Sequence, residues 1–147
     1  MIAVVQRVNK SDLKVDRKNF SNINYGFLVL LGIEKNDEEK DIEYIVRKIV
    51  NLRIFEDEKE KMNLSIKDVN GEIMLVSQFT LCADTKKGNR PSFINAEDPD
   101  IANKKYEKII QLIRNEGISV KTGVFGSNMD ICLENHGPVT IILNSRA

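Results

Sequence analysis

Only two stretches of this chain carry the three-and-four residue spacing of a helix, while at least six others read as strands, and that ratio constrains the fold more than any other feature. The segment IAVVQRV (2–8) alternates as a first strand, with short candidates at Leu13–Val15 and Phe20–Ile23. GFLVLLGI (26–33) is a continuous apolar run bounded by glycines, of a length and composition that suit a strand buried on both faces. Further strands are expected in EIMLVSQFTL (72–81), ISVKTGVF (118–125), DICLEN (130–135) and VTIILN (139–144). The first helix is marked by Ile42, Ile45, Val46, Ile49 and Val50 on one face, with Asp37 as its N-cap. In the second, Asp98 caps, Pro99 occupies the first turn and Gly117 stops the helix. Ala102, Tyr106, Ile109 and Ile113 share its inner face, while Lys104, Lys105 and Lys108 are expected to point mostly toward solvent. Two helices are too few for a doubly wound parallel sheet. The pattern predicts an α+β fold, an antiparallel-rich curved sheet or barrel-like core with two flanking helices, in a single domain over residues 1–147.

With 147 residues and 41% hydrophobic content, the chain is long enough for a sizeable core. No apolar stretch is long enough to span a bilayer, and the start MIAVVQRVNKSD lacks the pattern of a secretion signal. A soluble, cytoplasmic protein is expected, with no membrane association. Cys82 and Cys132 lie far apart with no ligand-type neighbour, so both read as buried small thiols, forming neither a disulfide nor a metal site. Acidic and basic residues balance at 22 each, which argues against indiscriminate coating of nucleic acid. The charges are uneven, however. Residues 34–43 hold six acids against two bases, and residues 86–121 hold eight bases against five acids. Solvated faces account for both runs, while the second also leaves room for a local contact with phosphates.

Ordinary catalytic signatures are missing. The single histidine, His136, sits beside a turn signal, and nothing in the sequence indicates which hydroxyl it would activate. GxGxxG, Walker, HExxH and GxSxG patterns are absent, so no nucleotide cofactor or metal is predicted. Two stretches stand out instead. SQFTL (77–81) places Ser77, Gln78 and Thr80 at the end of an apolar strand, where an amphipathic strand would also put them. DTKKGNRPSF (84–93) follows as a basic loop carrying Lys86, Lys87 and Arg90. A third oddity is Gly137-Pro138 beside VTIIL: glycine weakens a strand and proline cannot donate to its ladder. On local chemistry this dipeptide reads as a hairpin connection.

Taken together, AVVQRV, VLLGI (29–33), SQFTL, KKGNRPSF (86–93), FG (125–126) and NHGPVT (135–140) resemble the D-aminoacyl-tRNA deacylase family of the bacterial and eukaryotic type, in order, from residue 1 to about residue 144. SQFTL followed some 55 residues later by N-x-G-P-V-T is the specific pair. One position departs: His136 stands where the family commonly has an acidic residue, which leaves that side chain without an assigned role.

The resemblance implies a homodimeric hydrolase of aminoacyl-tRNA that cleaves the ester between a D-amino acid, or a misplaced glycine, and the terminal adenosine. It also implies a cis Gly137-Pro138 bond inserted into the partner's active site as a filter of chirality. Two carbonyl oxygens pointing the same way would form a wall against an L side chain, which is specificity by exclusion. By the same resemblance, the backbone around Phe79 and Thr80 supplies donors to the tetrahedral oxyanion, with Ser77 and Gln78 shaping the pocket. Two roles are open to Thr80: a nucleophile, which needs a base, or a pocket residue, which needs none. Lys86, Lys87 and Arg90 become candidates for acceptor-stem phosphates. A non-catalytic module binding the RNA acceptor end is the competing reading, and an aromatic content of 6% without Trp gives it few stacking platforms. A structural homo-oligomer with Gly-Pro as an interface turn is a third.

Overall fold

One long strand organises the sheet. The computed structural model describes all residues from Met1 to Ala147. In chain order they form β1 (Ile2–Val15), β2 (Lys18–Ile23), β3 (Gly26–Gly32), α1 (Glu39–Asn51), β4 (Phe55–Glu56), β5 (Met62–Leu64), β6 (Glu72–Ser77), a 3-10 turn (Phe79–Cys82), α2 (Pro99–Asn115), β7 (Ser119–Thr122) and β8 (Met129–Asn144). The candidates at 2–8 and Leu13–Val15 are thus one strand. Asp16 and Arg17 after it both take positive φ (50° and 66°), the two-residue turn whose twist matches that of paired strands.

β1 pairs antiparallel with β2, β3 and β8, whereas β3, β6 and β7 run parallel to one another. The sheet is therefore mixed, and antiparallel around its longest strand. Its order is β2-β1-β3-β6-β7. The outer strands approach each other, since Ser21 Oγ of β2 donates to the Thr122 carbonyl of β7 at 2.8 Å, so the sheet curls nearly into a barrel.

The run 26–33 is buried on both faces because its alternate residues serve two cores. Phe27, Val29 and Leu31 pack with Ile42, Ile45 and Ile49 of α1 and Tyr106, Ile109 and Ile113 of α2. Leu28 turns the other way, into a smaller cluster with Val8, Leu13, Ile23, Met74 and Val76. Helix α2 starts as its punctuation predicts: Asp98 accepts the Asp100 N–H at 3.0 Å, Pro99 is the first residue, and Gly117 leaves the end at φ 81°.

Five expectations need correction. Glu38, not Asp37, is the N-cap of α1. Asp37 is spent elsewhere: its buried carboxylate takes the Met1 ammonium at 2.8 Å, the Glu34 N–H at 2.7 Å and Arg146 at 2.8 Å. Lys105 does not point to solvent, because its ammonium donates to Glu97 and to the Asp37 carbonyl at 2.7 Å each. Cys132 lies on the exposed side of β8, whereas Cys82 is buried, and both thiols are free. The strand expected over 72–81 ends at Ser77, opposite the last residues of β3, and folds into the 3-10 turn. Finally, Gly137-Pro138 is no hairpin connection: 130–135 and 139–144 belong to the single strand β8, which contains a cis Gly137-Pro138 bond. The short hairpin β4–β5 carries no recognisable period in its sequence. No helix is long and apolar enough to cross a membrane.

Candidate active site

Three parallel strands, β3, β6 and β7, end on the same side of the sheet, and clefts in such sheets form beyond the carboxyl ends of the strands. Here the segments that follow them, with the start of α2, enclose a cavity of about 1160 Å³. Ser77, Gln78 and Phe79 line it, together with Phe93, Lys105, Phe125 and Met129. Thr80 is next in the chain and exposed.

The SQFT corner is held by backbone. Gln78 N–H donates to the Leu31 carbonyl at 2.8 Å, carrying the β3–β6 ladder one step past the strand. Gly32 lets the turn sit close, since a Cβ there would lie 2.9 Å from Leu81 Cβ and 3.2 Å from the Gln78 carbonyl. Leu81 and Ala83 then donate back to the carbonyls of Gln78 and Thr80, while the N–H groups of Phe79 and Thr80 have no acceptor. Two adjacent donors are therefore free at the edge of the cavity, as happens at the start of any helical turn.

The nearby side chains offer no nucleophile with a base. Thr80 Oγ1 accepts a short hydrogen bond from Gln78 Nε2, and an amide donor does not activate a hydroxyl. Cys82 is inert because burial pushes its thiol up to about 11, with the Glu34 carboxylate adding to the shift. On the far wall, Lys105 holds the Glu97 carboxyl below its ordinary range by a direct hydrogen bond. His136 is elsewhere, its ring 5.9 Å from that of Tyr25.

The basic loop closes on itself at Asp84 and Ser92, whose backbones exchange hydrogen bonds of 2.8 and 2.9 Å. Lys86, Lys87 and Arg90 on it are exposed and form no ion pair. The loop is tied to the cavity by Phe93, whose ring meets Phe79 edge-on at 5.0 Å.

Gly137 and Pro138 are exposed and do not line this cavity. They sit in a wide bulge. Gln6 pairs with Thr140 and Val8 with Asn135, so Arg7 alone stands opposite four residues, His136 to Val139. Asn135 clips the bulge at its base, accepting the Val139 N–H at 2.8 Å and donating to Thr140 Oγ1 at 3.0 Å. Arg7, 1% exposed, braces it by donating to the His136 carbonyl at 3.0 Å and the Ile54 carbonyl at 2.8 Å. The two motifs paired in the sequence are thus built in separate places on one chain.

Arg7, Gly32 and Asn135 lie within the stretches that carry the resemblance, AVVQRV, VLLGI and NHGPVT, but the sequence assigns them no role. Arg7 had a visible signal, because it shares the inward parity of Ala3 and Val5 in β1, where a charge needs buried partners. For Gly32 the residue pattern does not reveal the role, which depends on a turn that returns from residue 78.

The architecture is that of a small α+β barrel with a cleft beyond its parallel strands and two unsatisfied amides at the cleft's edge. Residues 4–144 match the model of the D-Tyr-tRNA(Tyr) deacylase family, and the chain belongs to that family. It is 58% identical to a D-aminoacyl-tRNA deacylase of Thermodesulfovibrio yellowstonii over 99% of this chain and 100% of that one. Its identity to the D-aminoacyl-tRNA deacylase of Aquifex aeolicus is 55%, over 99% of each. Among solved structures it superposes on the c-Myc DNA Unwinding Element Binding Protein with a TM-score of 0.94 and 42% identity, covering both chains fully.

Proposed function

We propose that this chain hydrolyses D-aminoacyl-tRNA, and tRNA mischarged with glycine, releasing the free amino acid and tRNA while rejecting L-aminoacyl-tRNA. The observation that carries the proposal is the pair of free N–H groups at Phe79 and Thr80, beside a cavity that offers no activated nucleophile. An aminoacyl ester is already reactive, so stabilising its oxyanion is the main task left to the protein. Water adds to the carbonyl carbon, the two amides hold the developing negative oxygen, and the ester bond breaks with the ribose 3′-oxygen leaving as a hydroxyl. The neighbouring 2′-hydroxyl helps to activate the water. Ser77 and Gln78 shape the pocket, and Thr80 acts as a pocket residue rather than a nucleophile.

Gly137-Pro138 is the chirality filter, delivered to the cavity of a second copy. Its exposure, its bracing by Arg7 and Asn135, and its absence from the lining of its own chain's cavity support that arrangement. The active unit is a homodimer acting in the cytoplasm, where aminoacyl-tRNA is used. Lys86, Lys87 and Arg90 hold acceptor-stem phosphates, which predicts a shallower salt dependence of tRNA affinity when both lysines are changed to alanine.

The exposed Phe79–Phe93 pair beside a basic loop also favours a second reading, a module that binds the acceptor end without catalysis. One assay decides. The protein is incubated with D-Tyr-tRNA and L-Tyr-tRNA and amino acid release is followed. Turnover of the D-ester alone is expected, relaxed by Pro138→Ala. Binding of both without turnover would give the second reading.

A further inference from the structure

Arg7 and Asn135 fix the backbone of the 136–139 bulge from the side of β1 and at its base, and both act on backbone atoms or on Thr140. Two side chains of the bulge also attach it to the body of the protein: Val139, 6% exposed, belongs to the main core, and His136 packs on Tyr25. The His136 ring lies 5.9 Å from Tyr25 at 59°. Tyr25 meets Phe55 edge-on at 5.1 Å, and Phe55 stacks on Phe27 at 4.8 Å and 25°. Phe27 and Phe55 are fully buried in the main core. A continuous row of four rings therefore runs from the core to the residue immediately before Gly137.

The contact of the His136 ring with Tyr25 is one of packing. The ring's Nδ1 is buried and has no hydrogen-bond partner. Within the chain the ring is therefore held by packing on Tyr25 rather than by a hydrogen bond from this nitrogen. The residue's carbonyl, on the other side of the same backbone unit, accepts from Arg7 Nε. His136 is thus gripped at both ends, by its side chain on Tyr25 and by its carbonyl on Arg7. Rotation of the preceding residue is the motion that would swing Gly137 and Pro138 out of line.

We propose that His136 is a positioning residue for chiral rejection, which sets the angle of the Gly137-Pro138 segment through ring packing on Tyr25. The inference rests on the filter reading above. It assigns a task to the one side chain between Asn135 and Gly137.

The test compares rates on D-Tyr-tRNA and L-Tyr-tRNA for Pro138→Ala, His136→Ala, His136→Phe and Tyr25→Leu. His136→Ala and Tyr25→Leu are each expected to lower the D:L rate ratio by roughly three- to tenfold, the scale of one aromatic contact. His136→Phe keeps a ring and removes the orphan nitrogen, so it is expected to restore the ratio without lowering the thermal midpoint. If Pro138→Ala relaxes the ratio and His136→Ala leaves it unchanged, the inference is overturned while the filter stands. Failure of His136→Phe to restore the ratio overturns it as well. Should Pro138→Ala leave chirality untouched, the filter reading falls and the inference falls with it. Where His136→Ala does not fold, Tyr25→Leu and His136→Phe decide the same question.

Discussion

Replacing Phe79 by proline removes one backbone donor from the cavity edge and leaves the rest of the turn in place. Phe79 is the first residue of the 3-10 turn, where proline's missing N–H breaks no bond, since that N–H has no acceptor. Gln78 before it, at φ −141° and ψ 84°, is already outside the helical region that a following proline disfavours. The substitution also removes a ring that meets Phe93 at 5.0 Å, so Phe79→Ala is the control that loses the ring but keeps the donor. An edge-to-face pair is worth about 0.5–1.5 kcal/mol. A lost oxyanion donor costs about 2.7–4 kcal/mol, or about a hundred- to a thousandfold in rate. The donor term is the larger, so single-turnover release from D-Tyr-tRNA should be about a hundredfold slower for the proline variant than for alanine. Equal rates for the two variants would refute the assignment of the oxyanion to this amide.

Other substitutions probe the supports. Gly32→Ala would set a Cβ 2.9 Å from Leu81 Cβ, and should cost roughly 1–3 kcal/mol of overpacking. It should also slow deacylation by shifting the turn, so an unchanged rate and thermal midpoint would count against that tight fit. Arg7→Met strands the carbonyls of His136 and Ile54, and urea unfolding should report a loss of roughly 2–5 kcal/mol. A variant as stable as the parent would contradict the bracing role. Glu97 supplies a pH dependence. Lys105 holds its folded-state carboxyl below the ordinary value, so its contribution is full above the unfolded Glu range and is lost as pH falls through the lowered folded value. The fall in thermal midpoint between about pH 5 and pH 3 should be shallower in Glu97→Gln, and identical slopes would remove the pair from the account.

The strands and helices were legible where one residue pattern met one environment. β3 was recognisable because both its faces are buried, and α2 because capping residues mark both ends. Legibility failed where a distant segment decides the local structure. Residues 78–81 look like a continuing strand, yet β3 ends at Gly32 and leaves them no partner beyond Gln78. Gly-Pro looks like a turn, yet Asn135 and Arg7 hold the chain in line so that β8 resumes its pairing at Thr140. Asp37 looks like a cap, yet the ammonium of Met1, far away in sequence, claims its carboxylate. The short motifs identified the family, and they marked SQFT and Gly-Pro as the candidate site. The free amides of Phe79 and Thr80 belong to backbone geometry, which residue types alone do not reveal.

The central claim, that Gly137-Pro138 of one subunit screens the cavity of the other, is tested most directly by dimers of mixed composition. Pro138→Ala disables the filter and Phe79→Pro disables the cavity. When the two changes are on different subunits, the one working cavity is screened by an intact filter from its partner, and rejection of L-Tyr-tRNA should persist. With both changes on the same subunit beside an unaltered partner, the working cavity meets the damaged filter, and L-Tyr-tRNA should be hydrolysed. The opposite pattern would place the filter in its own subunit's cavity and contradict the account.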